Sequence, residues 1–205
     1  MANPPVFHLL AGPNGAGKST LYKALVTGGI VGAACEFVNA DLHEREHLQH
    51  IRDPQARSEA AREWADARRA ALLSQRQSFV SETVFSHASK VQLIAQAQQM
   101  GFVVALHVVA LDDPERLLQR VARRVREGGH SVPPEKILAR YPRTLANLQQ
   151  AVQLADVAYL YDARELEDGG PCLAAVCEDG RLTHTLSQPL PRWVQHMLDG
   201  ESLLK

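Results

Sequence analysis

Residues 11–20 read AGPNGAGKST, and no other stretch limits the fold so strongly. Gly12, Gly17, Lys18 and Ser19 satisfy the spacing G-x-x-x-x-G-K-[ST]. An apolar run, VFHLLA, precedes the loop and a helix-forming run, KSTLYKALV, follows it. Strand, loop and helix therefore stand in the order that this motif requires. Glycines allow successive main-chain N–H groups to curl around an anion, and the next helix directs the positive end of its dipole at the same point. Gly12, Pro13, Asn14, Gly15, Ala16, Gly17, Lys18, Ser19 and Thr20 are thus the candidate cradle for a nucleoside triphosphate, ATP or GTP. Lys18 is expected at the β- and γ-phosphates and Ser19 at Mg²⁺. The glycine spacing does not give G-x-G-x-x-G, which argues against a dinucleotide site.

The rest of the chain continues the alternation. CEFVNAD (35–41) reads as a second strand ending in polar residues, a helix is expected from about Gln55 to Gln75, and SFVSET reads as a third strand. ASKVQLIAQAQQMG has helical spacing and a terminal glycine, and it leads into the strongest strand, FVVALHVVAL. Asp113 and Pro114 open a further helix, and another begins at Pro134 with a break expected near Pro142. Leu145, Leu148, Val152 and Ala155 mark its buried face, DVAYLY is a fifth strand, and CLAAVCEDGRLTHTL is a hairpin turning at Asp179-Gly180. PRWVQHML closes the pattern as a short helix. These elements predict an α/β fold of the P-loop NTPase type: a mainly parallel five-stranded sheet flanked by helices, plus a C-terminal antiparallel hairpin.

A chain of 205 residues suits one such domain, with 112–155 as an arginine-rich helical region and 170–205 as hairpin and helix. The 22 basic and 23 acidic residues give no overall bias toward nucleic acid or an anionic membrane. The first residues lack a charged leader, and the longest apolar stretch is too short to span a bilayer, so a cytoplasmic protein is expected. Cys35, Cys172 and Cys177 form no C-x-x-C and read as small apolar residues.

In parallel sheets ligands bind beyond the carboxyl ends of the strands. Asp41, after the second strand, is the candidate base for a substrate hydroxyl, with an N-cap as its structural alternative. Asn39 stands beside it as a substrate contact. Glu82, ending the third strand, is the candidate to hold Mg²⁺ through water or to orient the acceptor. Phosphoryl transfer also needs cations, and seven arginines fall between Arg116 and Arg143. At about 100° per residue, Leu117, Leu118, Val121, Ala122 and Val125 form one apolar face, bordered by Arg124 and Arg120, while Arg116 and Arg123 point away from the core. Arg120 and Arg124 are an i, i+4 pair able to serve one site. GGHSVPP (128–134) suits a segment folding over nucleotide, and His130 reads as a loop or capping residue.

The motifs GPNGAGKST, FVNAD, FVSETVFS and RVARRVREGGHSVPPEKILARYPRTLANL together resemble the zeta-toxin group of P-loop kinases in its compact form, over roughly residues 6–162. The resemblance implies an ATP- or GTP-dependent kinase; toxin members of the group phosphorylate UDP-N-acetylglucosamine on the sugar and are neutralised by a small antitoxin protein. It implies Asp41 as base, Glu82 and Thr83 facing substrate, and Arg124 and Arg140 clamping the transferred phosphate. Phe85 and Ser86 stand where larger members carry an arginine, and Asp162-Ala163-Arg164 where compact members carry Asp-Asn-Ser. Two further readings compete: a nucleotide-binding regulatory module with slow hydrolysis, and a polynucleotide kinase.

Overall fold

In the computed structural model, residues 3–32, 34–127, 132–164 and 170–199 are described. Seven strands among them form a single sheet: β1 (Val6–Ala11), β2 (Glu36–Val38), β3 (Phe79–Thr83), β4 (Val103–Ala110), β5 (Val157–Asp162), β6 (Cys172–Glu178) and β7 (Arg181–Thr185). Their order is β2-β3-β1-β4-β5-β6-β7. The first five are parallel, and β6 and β7 add antiparallel at one edge, as the sequence pattern predicts. The β6–β7 turn places Asp179 (φ 47°) and Gly180 (φ 74°) in the left-handed region that a two-residue hairpin turn demands.

Because β1 is central and paired on both sides, its residues are hidden on both faces. Phe7, Leu9 and Ala11 join the larger core with Val104, Leu106 and Leu148, while Leu10 points into the smaller core with Leu21, Leu25, Val109 and Leu117. The helices are α1 (Lys18–Thr27), α2 (Ala40–His47), α3 (Pro54–Ser74), α4 (Ser89–Gln99), α5 (Pro114–Arg126), α6 (Pro134–Leu154) and α7 (Arg192–Asp199). Residues of α3, α4, α6 and α7 line the larger core, and residues of α1 and α5 the smaller. Capping follows from sequence. Asp53 and Asp113 accept main-chain N–H bonds at the starts of α3 and α5, each followed by proline at the first helical position. Asp112 accepts the Arg192 and Trp193 N–H groups of α7, 3.1 and 2.7 Å away, tying the last helix to the end of β4.

Three local expectations are corrected. The second strand stops at Val38 instead of running to 41, because Asn39 Oδ1 accepts the Leu42 N–H at 3.0 Å and starts α2 there. Asp41 is therefore neither a strand-end residue nor an N-cap; it lies in the first turn of α2. The break near Pro142 is absent, and α6 is continuous. Proline deletes one helical hydrogen bond, but Ile137 before it and Thr144, Leu145 and Leu148 after it are all buried, and that packing offsets the loss. The apolar face of α5 is narrower than its periodicity suggests: Leu117 and Val121 are buried, whereas Ala122 and Val125 are exposed. His130, and with it residues 128–131 of the GGHSVPP segment, lie outside the described residues.

Candidate active site

The loop after β1 has a shape that only glycine permits at two points. At Gly12 (φ 152°) a methyl group would lie 2.0 Å from the Val109 carbonyl oxygen, and at Gly15 (φ 83°) 2.8 Å from that of Leu117. Such close approach to main chain on β4 and α5 cannot be relieved by a side-chain rotation. Gly17, also left-handed, caps α1 without a side chain in the way, leaving the first N–H groups of the helix open to an anion. Lys18 is buried at 6% exposure and folds back along the loop, donating to the carbonyls of Gly12 (3.0 Å) and Pro13 (3.1 Å).

Glu82 joins three elements at this point. One carboxylate oxygen accepts from Ser19 Oγ at 3.0 Å and from Asn39 Nδ2 at 2.9 Å; the other lies 3.6 Å from Lys18 Nζ. The arrangement follows from topology: β3 lies beside β1, so Glu82 pairs in register with Leu10, one residue before the end of β1. Thr83 supports the same corner, its carbonyl accepting the Gly12 N–H at 3.4 Å and its hydroxyl accepting the Phe85 N–H at 3.3 Å. A family model described as an AAA domain (AAA_33) matches residues 7–148. The chain belongs to that family.

No curated protein matches this AAA-domain chain by sequence. Among solved structures it is similar to AvrRxo1-ORF1:-ORF2 with ATP, at TM-score 0.66 and 21% identity over 87% of this chain and 60% of that one. It is also similar to the PezAT chromosomal toxin–antitoxin system of Streptococcus pneumoniae, at TM-score 0.61 and 15% identity over 98% and 80% of the two chains. The Pnkp1/Rnl/Hen1 RNA repair complex gives TM-score 0.58 and 19% identity over 73% and 47%. At these identities the likeness is one of fold. The chain spans about 60% of the length of the AvrRxo1 chain it matches.

Around the loop, the AAA-domain chain opens a cleft of about 900 Å³. Asn14, Gly15, Gly17, Lys18, Ser19 and Thr20 line it, as do Asn39, Asp41, Glu82, Thr83, Arg120, Arg124 and Arg140. Among the residues singled out from sequence, Gly12, Pro13 and Ala16 do not line it; they shape the loop behind, Ala16 N–H bonding the Pro13 carbonyl at 3.3 Å. Asp41 is exposed, and its carboxylate makes no hydrogen bond or ion pair with any described residue. Asn39, by contrast, uses its oxygen on Leu42 and its amide on Glu82.

Arg120 donates to the Arg164 carbonyl at 3.1 Å, and Arg116 reaches the same oxygen at 3.1 Å. Burial, and then the charges of Arg116 and Arg123, push the Arg120 guanidinium below its ordinary pKa. Arg120 Nη1 is buried and has no hydrogen-bond partner among the described residues. Arg123 is exposed, as the helical wheel predicts, and it also lines the cleft. The last turns of α5 stand beside the cleft and not on the sheet, so pointing away from the core there means pointing toward ligand.

The sequence reading missed a cluster at the β2–β3 side of the cleft, where Arg62, Asp66 and Arg69 from α3 meet Lys90 from α4. Arg69, only 5% exposed, donates to Ser81 Oγ at 3.1 Å and to the Asp66 carboxylate. Lys90 Nζ donates to the same carboxylate oxygen of Asp66 at 2.9 Å. Partial burial opposes ionisation of Asp66, but hydrogen bonds and charge from Lys90 and Arg69 outweigh it and hold its carboxyl below the usual range. A signal did exist: Ala61, Ala65, Arg69, Leu72 and Leu73 share one helical face, and a cation inside an apolar stripe must be paired.

Proposed function

We propose that this protein is a Mg²⁺-dependent phosphotransferase that moves the γ-phosphate of ATP or GTP to a hydroxyl group of a small metabolite. The observation that carries the reading is one cleft lined both by the glycine-loop cradle with Lys18 and by Asp41, whose carboxylate has no partner among the described residues. Main-chain N–H groups at the start of α1 and the Lys18 ammonium hold the donor phosphates. Asp41 takes the proton from the acceptor hydroxyl as its oxygen bonds to the γ-phosphorus, while the bond to the bridging oxygen breaks and the nucleoside diphosphate leaves. Arg120, Arg124 and Arg140 meet the charge on the transferring group.

Ser19 Oγ and the Glu82 carboxylate, 3.0 Å apart on the cleft wall, are hard oxygen donors of the type Mg²⁺ selects. When bound, Mg²⁺ neutralises phosphate charge. Asn39, through Glu82, and Thr83, through the Phe85 and Gly12 main chain, position this corner while facing substrate. The finer form of the reading takes a UDP-amino sugar as acceptor and an antitoxin protein as partner. It is supported by the zeta-toxin motifs and by fold likeness to the PezAT toxin–antitoxin system.

Incubation with γ-labelled ATP and a metabolite extract is expected to yield a labelled small molecule, and the Lys18→Ala protein to yield none. Release of labelled inorganic phosphate with no labelled acceptor from any extract would reject the transferase reading in favour of a hydrolysing regulatory module.

A further inference from the structure

The cleft is far more basic than the chain that forms it. Among the described residues lining it, nine are Lys or Arg and four are Asp or Glu, a surplus of five positive charges in a protein of net charge −1. The surplus divides in space. Lys18, at the start of α1, and Arg120 and Arg124, on α5, stand on the donor side. Arg62, Arg69 and Lys90 belong to α3 and α4, and Arg69 is fixed to Ser81 of β3, next to Glu82. This second group stands on helices that pack on the larger core, whereas α5 packs on the smaller one.

The second group already binds an oxyanion, namely its own Asp66. One carboxylate oxygen accepts from both Arg69 and Lys90, yet the Asp66 side chain is 52% exposed while those of Arg69 and Lys90 are 6% and 19% exposed. The cations are therefore built into the wall, and the anion between them stands at the cleft surface. A buried guanidinium needs a counter-charge whether or not a ligand is present, and a solvent-facing carboxylate can supply it and give way only when another anion takes its place.

We propose that Arg69 and Lys90 form a subsite for an oxyanion carried by the phosphate acceptor, with Asp66 filling it until the acceptor arrives. The inference rests on the transferase reading and sharpens it: the acceptor is a hydroxyl compound that also bears a phosphate or carboxylate group, and not a neutral polyol. Arg69 and Lys90 are specificity determinants. Asp66 is an internal competitor, so removing its charge strengthens acceptor binding, whereas a purely structural Asp66 would weaken everything when altered.

The test is calorimetric titration of inorganic phosphate, and separately of acetate, into protein saturated with Mg²⁺ and a non-hydrolysable ATP analogue that fills the glycine loop. Asp66→Asn is expected to tighten anion binding about tenfold and Lys90→Gln to weaken it about tenfold, the size of one partly screened charge-assisted contact. Opposite shifts support the subsite; stronger phosphate than acetate binding then marks a phosphorylated acceptor, and the reverse a hydroxy acid. Unchanged affinity in both variants, or weakening in both, overturns it. If the analogue itself fails to bind, the transferase reading falls, and the same titrations on the nucleotide-free protein still decide whether the anion subsite exists.

Discussion

Replacing Glu82 by Gln keeps its shape and removes its charge, which makes it the sharpest probe of how the site is held. The carboxylate receives two donors on one oxygen, Ser19 and Asn39, and an ammonium 3.6 Å from the other. A glutamine amide can turn its oxygen to Ser19 and Asn39 only by pointing its NH₂ at Lys18, and the opposite flip sets it against two donors. Either way a donor faces a donor. Hydrogen bonds to charged groups contribute about 1.5–3 kcal/mol, and the Glu82 side chain is 13% exposed, so little of this is lost to solvent screening. In the better flip the Ser19 and Asn39 bonds survive as neutral ones and the Lys18 contact is lost, which leaves an expected loss of about 2 kcal/mol. For a chain of this size that lowers Tm by about 4–8 °C. Urea unfolding at constant slope measures it directly. A double-mutant cycle with Ser19→Ala should give a coupling of about 0.5–3 kcal/mol. An unmoved midpoint, or additive effects, would refute the idea that Glu82 ties the loop to β2 and β3.

Gly12→Ala drives a methyl group to 2.0 Å from the Val109 carbonyl; Mg²⁺-ATP binding measured by calorimetry should be lost, with about 3 kcal/mol or more of stability. Arg120→Ala should slow phosphate transfer about 100-fold under single-turnover conditions, and an unchanged rate would remove Arg120 from the site. His107 is fully buried, 3.3 Å from His8, with Nδ1 unpartnered among the described residues; burial, and then the nearby His8, push its pKa down to about 3. Its folded pKa is below the unfolded one, so its contribution is intact above about pH 6.5 and is lost as pH falls, at about 1.4 kcal/mol per unit. His107→Leu should flatten the stability slope between pH 6.5 and 5, above the range where carboxylates titrate, and an unaltered slope would contradict this.

The succession of strands and helices and the loop that opens the cleft were legible because each rests on local pattern. VFHLLA followed by GPNGAGK, Asp113-Pro114 before α5, and Asp179-Gly180 between β6 and β7 each combine residues whose backbone preferences leave one conformation. What was not legible depended on tertiary context. Pro142 looks like a helix break until the burial of residues on both sides of it is known. Asn39 looks like a strand-end polar residue until its side chain is seen capping α2 and bonding Glu82, and the shift by a single turn moves Asp41 onto a helix. Arg69 was hidden for a different reason: α3 carries so many arginines that the one inside its apolar face does not stand out by composition. That Arg123 lines the cleft was not legible, because a helical wheel identifies the side of a helix facing the core and does not say what the other side faces.

The proposed function turns on Asp41 priming the acceptor hydroxyl in the cleft that the glycine loop also lines. The most direct measurement is single-turnover transfer from γ-labelled ATP by the Asp41→Asn protein, with nucleotide affinity followed in parallel by calorimetry. Loss of a general base predicts a fall in transfer of about 10²–10⁴-fold with nucleotide affinity intact. Transfer at the wild-type rate would contradict the assignment of Asp41.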